Sequence, residues 1–161
     1  MVRRQNKLRV MLDANILYAG TVWRRWPHAV LRHALQKDLQ LVLCEQVIAE
    51  AREGIAADYP ASSSKFERLL AALPYELVKD PSPKQVSRHA ALLPNPEDVP
   101  IALAAINASV DCFVSEDKHF TIRTEQPEPF QRKVRVLLAG TFLRDVMGCT
   151  GEELDQAKQR T

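Results

Sequence analysis

Four short apolar segments of this chain end in, or lead straight into, an acidic residue: Arg9–Asp13 (RVMLD), Cys44–Glu50 (CEQVIAE), Pro96–Ile101 (PEDVPI) and Cys112–Asp117 (CFVSED). Carboxylates on the rims of buried elements are costly unless something cationic gathers them. Magnesium and manganese prefer oxygen ligands and retain several waters. Asp13, Glu50, Asp98 and Asp117 are therefore a candidate set for one or two such ions, bound directly or through water. An ion of this kind beside a phosphodiester lowers the pKa of a water, orients it and neutralises charge on the leaving oxygen. Each acid also has a plainer use. Asp13 can cap a turn, Glu50 can be a solvated helix residue, Asp98 can complement a helix N-terminus, and Asp117 can sit in a surface turn. With 20 acidic residues in the chain, spacing alone leaves both readings open.

The elements that would carry these acids follow from the apolar pattern. Lys7–Leu12 reads as a buried strand leading into Asp13-Ala14-Asn15, followed by a loop through Trp23-Arg24-Arg25-Trp26-Pro27. Pro27 starts a helix with Ala29, Val30, Leu31, Ala34 and Leu35 on its apolar face. Leu39–Leu43 is a second strand, and 45–57 has helical spacing that places Glu50 within a helix. Pro60–Ser64 is a capping turn before a helix to about Leu73. Tyr75–Val78, Cys112–Ser115 and Val134–Leu138 read as strands, with helices over 84–92 and Glu97–Ala108 and at the C-terminus. Asp98 falls in the first turn of its helix, where the helix dipole favours an anion. This alternation indicates an α/β domain with a mostly parallel sheet. Sites in such sheets form beyond the carboxyl ends of the strands, where Asp13 and Asp117 fall.

At 161 residues the chain is read as a single domain over 1–161. No apolar run approaches the roughly 20 residues needed to cross a bilayer, and the N-terminus lacks a signal-peptide pattern. Cys44, Cys112 and Cys149 form no CxxC pair, as expected for free thiols in a reducing cytoplasm. The net charge of +2 is unevenly spread. Residues 1–40 hold Arg3, Arg4, Lys7, Arg9, Arg24, Arg25, Arg32 and Lys37 against Asp13 and Asp38. Such a basic flank suits a polyanionic substrate, and a solvated helix face gives the same count.

The motifs MLDANIL, VIAEARE, PEDVPIALAA and VSEDKHF, in that order, resemble a PIN domain, and more narrowly the VapC-like toxins of prokaryotic toxin–antitoxin systems. The resemblance covers about 8–148, leaving a short C-terminal helical tail. It implies a three-layer α/β fold with a central parallel sheet flanked by helices. It also implies a metal-dependent ribonuclease whose activity needs three or four acids, here Asp13, Glu50, Asp98 and Asp117. Asn15 matches the small polar residue two positions after the first acid. Ser115 stands where the family has Thr or Ser, able to orient a ligand or a phosphate. Glu116 departs from the pattern, because the family often has Gly there, and the substitution adds a like charge and stiffens the turn. Glu97 beside Asp98 is a second candidate ligand, although helix start and family register favour Asp98. An antitoxin complex and a homodimer are the partners the resemblance implies.

Other chemistries fit less well. Ser62-Ser63-Ser64 lacks a nucleophile-elbow context, glycine is too scarce for a phosphate cradle, and His28, His33, His89 and His119 form no HExxH pattern. His119, two residues after Asp117, is placed to touch substrate. Arg24 and Arg25 can pair with phosphates, and Trp23 and Trp26 can stack on unpaired bases. Core packing, solvation or a protein partner are the plainer uses of that segment. Arg123, Arg132, Lys133 and Arg135 form a second basic cluster. The expectation is a cytoplasmic, Mg2+- or Mn2+-dependent endoribonuclease. The alternative is a non-catalytic RNA- or protein-binding module on the same fold.

Overall fold

The computed structural model describes residues 7–122 and 127–159, with the side chains of 157–159 left aside. Arg3, Arg4 and Arg123 lie outside the described residues. Five short strands, β1 (Arg9–Leu12), β2 (Gln40–Cys44), β3 (Tyr75–Val78), β4 (Cys112–Val114) and β5 (Arg135–Leu137), form one sheet in the order β3-β2-β1-β4-β5. Every pairing is parallel. The three central strands are apolar and almost wholly buried, as a sheet covered on both faces requires. The strand order reverses between β1 and β4, where Leu12 pairs with Val114. A crevice at the carboxyl ends of these two strands is where an open α/β sheet places its ligands.

Helices α1 (Ala14–Val22), α2 (Trp26–Leu35), α3 (Glu45–Asp58) and α4 (Ser63–Ala72) cover the first half of the chain. The second half adds α5 (Pro83–Arg88), α6 (Val99–Asn107), α7 (Lys118–Thr121) and α8 (Pro129–Lys133). After β5, α9 (Ala139–Thr141) runs into a π-helical turn at Phe142–Val146, and α10 (Gly151–Gln159) ends the described chain. The result is the expected three-layer α/β fold with a parallel central sheet. The core helix α6 buries Val99 and five of the six residues from Ile101 to Ile106. That burial fixes the 3-10 turn Pro96–Asp98 just before it.

One expectation is corrected. The segment after Asp13 is a helix rather than a loop, and only Trp23-Arg24-Arg25 separates α1 from α2. Gly20 lets α2 approach closely, since a Cβ there would run into Leu31 and the Pro27 carbonyl. Two short helices, α7 and α8, also replace chain that carried no expected element. Phe120 of α7 and Phe130 of α8 pack with Phe113 of β4, with ring centroids 4.8 to 6.0 Å apart. All three rings are fully buried, so this cluster ties the turn carrying Asp117 to the sheet.

Candidate metal centre

Asp13 ends β1 with only 4% of its surface exposed. Its backbone N–H donates to the Val114 carbonyl at 3.0 Å, extending the β1–β4 ladder by one bond. One carboxylate oxygen caps α1, accepting the Ala14 N–H at 2.8 Å. The other accepts the Ser115 hydroxyl at 2.7 Å and the Asn15 amide at 3.3 Å. The capping reading and the site reading of Asp13 therefore describe the same carboxylate.

Ser115 is fully buried and is the joint of the site. Besides donating to Asp13, its Oγ accepts the Asp117 N–H at 2.9 Å and the Asn15 amide at 3.3 Å. Asn15 also accepts the Glu116 N–H at 3.2 Å through Oδ1. Two strand ends are thus locked by two polar side chains, and Asp13 and Asp117 are held in a fixed relation. Asp117 in turn caps α7, accepting the His119 N–H at 2.9 Å.

Removal of the Ser115 hydroxyl tests this joint. Ser115→Ala is expected to destabilise the fold by about 1–3 kcal/mol, because it leaves the Asp117 N–H without its acceptor in a partly buried place. Urea denaturation measures the loss. Stability equal to the unaltered chain would show that the hydroxyl is dispensable.

Asp98 reaches the same place from the N-terminal side of α6. Its Oδ2 is buried and has no hydrogen-bond partner among the described residues. The His119 Nδ1 lies 3.4 Å from that oxygen and 3.5 Å from Asp117 Oδ1. Ligand atoms of Asp98, Asp117 and His119 all stand within 4.8 Å of one another. Glu97 is exposed, with its N–H bonded to Asn95 Oδ1, so Asp98 is the member of that pair that enters the cluster. Glu50 lies on the exposed face of α3, where Gln46 donates to it at 2.9 Å and also reaches the Glu97 carbonyl at 3.5 Å.

The electrostatics register this convergence. Burial pushes the Asp13 carboxyl up to about 6, against the hydrogen bonds from Ser115 and Ala14, and the Glu50 and Asp117 charges add to the rise. Asp98 is also raised, first by burial and then by Asp117, with Glu50 and Glu97 adding and His119 opposing. Carboxylates disfavoured by burial and by neighbouring negative charge favour an added cation. An unpartnered buried carboxylate oxygen facing a second carboxylate and an imidazole fits a divalent ion.

Glu116 does not add a charge to this cluster in the way its position suggests. Its Oε1 accepts the Ala139 N–H at 3.0 Å, capping the start of α9. Glu116→Ala is expected to cost about 1 kcal/mol, the loss of a helix cap, with divalent-ion affinity unchanged. A paired thermal melt and ion titration check this. A change in ion affinity would place the side chain at the centre instead.

The basic residues divide. Arg9 is used internally, pairing with Glu76 at 2.7 Å and donating to the Ala108 carbonyl. Trp26 belongs to α2, donates its indole N–H to the Leu154 carbonyl at 2.8 Å and packs on Gly140, so its ring is committed to the fold. Trp23 meets Tyr59 edge to face and Tyr18 at a tilt, but remains 36% exposed. Arg24, Arg25 and Arg32 line an open groove of about 660 Å³ between α2 and α10, together with His28 and His33. Arg132, Lys133 and Arg135 lie around the amino-terminal end of β5, at the sheet edge opposite the acids. His119 is the residue that motif spacing underweighted. Its signal was its place two residues after an acid that caps a helix.

Comparison with known proteins agrees with this geometry. No curated protein matches the chain. Among solved structures, PAE2754 from Pyrobaculum aerophilum is similar in fold, with a TM-score of 0.60 and 17% identity over 88% of this chain and 97% of that one. VapBC2 from Rickettsia felis, bound to a DNA fragment from their promoter, gives a TM-score of 0.54 and 17% identity over 81% of this chain and 98% of that one. The family model of the PIN domain matches residues 9–119, a span that holds all four acids, Asn15, Ser115 and His119. With a parallel sheet of this order and a family model that matches more than half of its length, the chain belongs to the PIN domain family.

Proposed function

We propose that this chain is an endoribonuclease dependent on Mg2+ or Mn2+, and that it acts as the toxin of a toxin–antitoxin pair. The observation that carries the reading is the buried Asp98 Oδ2, which has no hydrogen-bond partner among the described residues and stands in a cluster where ligand atoms of Asp98, Asp117 and His119 lie within 4.8 Å of one another. Asp13, Asp98 and Asp117 are the direct ligands, and Glu50, on the exposed face of α3, acts through water. When bound, a divalent ion supplies a polarised water and neutralises charge on the phosphodiester oxygens. Ser115 and Asn15 hold Asp13 in its ionised orientation and keep Asp117 in register with it. In-line attack leaves a 5′-phosphate and a 3′-hydroxyl.

Single-stranded RNA follows Arg24 and Arg25, with Trp23 offering a stacking face. The exposed aromatic edge formed by Trp23 and Tyr59 also suits an antitoxin, since both rings retain area to bury. A homodimer in the cytoplasm completes the reading; no helix among the described residues is long and apolar enough to cross a membrane.

The test is incubation of the purified chain with single-stranded RNA across a Mn2+ and Mg2+ titration, with the ends mapped. Ion-dependent products with 3′-hydroxyl ends support the proposal. RNA affinity without ion-dependent products would favour the alternative, a binding module that keeps the fold.

A further inference from the structure

The centre described above is not built of oxygen alone. His119 Nδ1 lies 3.4 Å from Asp98 Oδ2 and 3.5 Å from Asp117 Oδ1. Two donors bonded to one ion at about 2.1 Å stand about 3 Å apart, close to both of these distances, and the ligand atoms of all three residues lie within 4.8 Å of one another. The ring is aimed by its own backbone, because Asp117 Oδ1 takes the His119 N–H as the cap of α7. On the other side, Asn95 Nδ2 lies 3.4 Å from the same Nδ1. The side chain is 60% exposed, so it can close on an ion without disturbing the core.

We infer that His119 is a nitrogen ligand of the ion held by Asp98 and Asp117, and that it turns the site away from Mg2+ towards first-row transition ions. This rests on the metal-site reading above. The chemical reason is ligand preference. Carboxylates and water satisfy Mg2+, whereas imidazole adds affinity for ions that accept nitrogen donors and little for Mg2+.

The experiment compares the full chain with His119→Ala by calorimetric titration of Co2+ and, separately, Mg2+. Pulsed electron paramagnetic resonance of the Mn2+-loaded proteins reads coordinated nitrogen directly. The expected result is a loss of about tenfold or more in Co2+ affinity on substitution, with Mg2+ affinity nearly unchanged. A nitrogen coupling present in the unaltered chain should vanish in the variant. Unchanged or stronger Co2+ binding by the variant, equal losses for both ions, or no nitrogen coupling in the unaltered chain would overturn the inference. Failure of the unaltered chain to bind either ion would instead overturn the metal-site reading beneath it.

Discussion

Asp13→Asn is expected to lower RNA cleavage by about a thousandfold or more while making the ion-free protein more stable. The two effects have one cause. Transition-state charge stabilisation at a metal centre is worth several kcal/mol, and each factor of ten in rate is about 1.4 kcal/mol. Loss of the carboxylate that anchors β1 to the centre removes that contribution. The same carboxylate is buried to 4% exposure, and its ionised form is disfavoured first by burial and further by Glu50 and Asp117. Asparagine keeps an acceptor for the Ala14 N–H, loses the one that Ser115 and Asn15 donate to, and carries no charge, so the fold gains about 1 kcal/mol net above neutral pH. Rate measurements and urea denaturation in chelator check both halves. Retained activity would remove Asp13 from the site, and a destabilised variant would show that its hydrogen bonds outweigh its charge.

A pH dependence of ion-free stability is the second large expected effect. The Asp13 carboxyl sits at about 6 in the fold against an ordinary value of 3.8, so the folded state binds the proton more tightly. Stability from this group is full below about 3.8, and is lost as pH rises through about 6. A rise of roughly two pKa units corresponds to about 3 kcal/mol, and Asp98 shifts in the same direction. A divalent ion reverses the trend, because it binds the ionised carboxylates. An ion at a hundred times its dissociation constant restores about 2.7 kcal/mol. Denaturation midpoints from pH 4 to 8, with chelator and with Mn2+, measure this directly. An equal fall across that range in the Asp13→Asn variant would assign the dependence to other groups.

Much of this architecture is legible in the amino-acid order, for reasons the structure makes plain. The central strands are short apolar runs because helices cover both faces, so buried runs such as Val10–Leu12 and Leu41–Leu43 announce themselves. Asp13 stands out because it follows such a run directly, and Asp117 because it follows Cys112–Val114 after only Ser115 and Glu116. Helix α1 did not announce itself. ANILYAGTV is apolar almost throughout, and it contains Gly20 and β-branched Ile16, Thr21 and Val22, so neither amphipathic spacing nor propensity marks it.

The site divides in the same way. Strand ends placed Asp13, Ser115 and Asp117, and the start of an apolar helix placed Asp98. The choice between Asp98 and Glu97 needed the 3-10 turn, which leaves one side chain outside and turns the other in. His119 joins through the capped turn of α7, a four-residue helix too short to leave a periodic signal. Glu116 looked like an added site charge because position alone cannot show that its carboxylate turns to the Ala139 N–H.

The central claim is that acids from four separate segments make one ion site at the carboxyl ends of β1 and β4. A crystal structure of the chain with Mn2+, read by anomalous difference density, tests it most directly. The expected result is a peak with ligand distances of about 2.1 Å to carboxylate oxygens of Asp13, Asp98 and Asp117. Density elsewhere on the surface, with these three carboxylates left without an ion at saturating Mn2+, would contradict it.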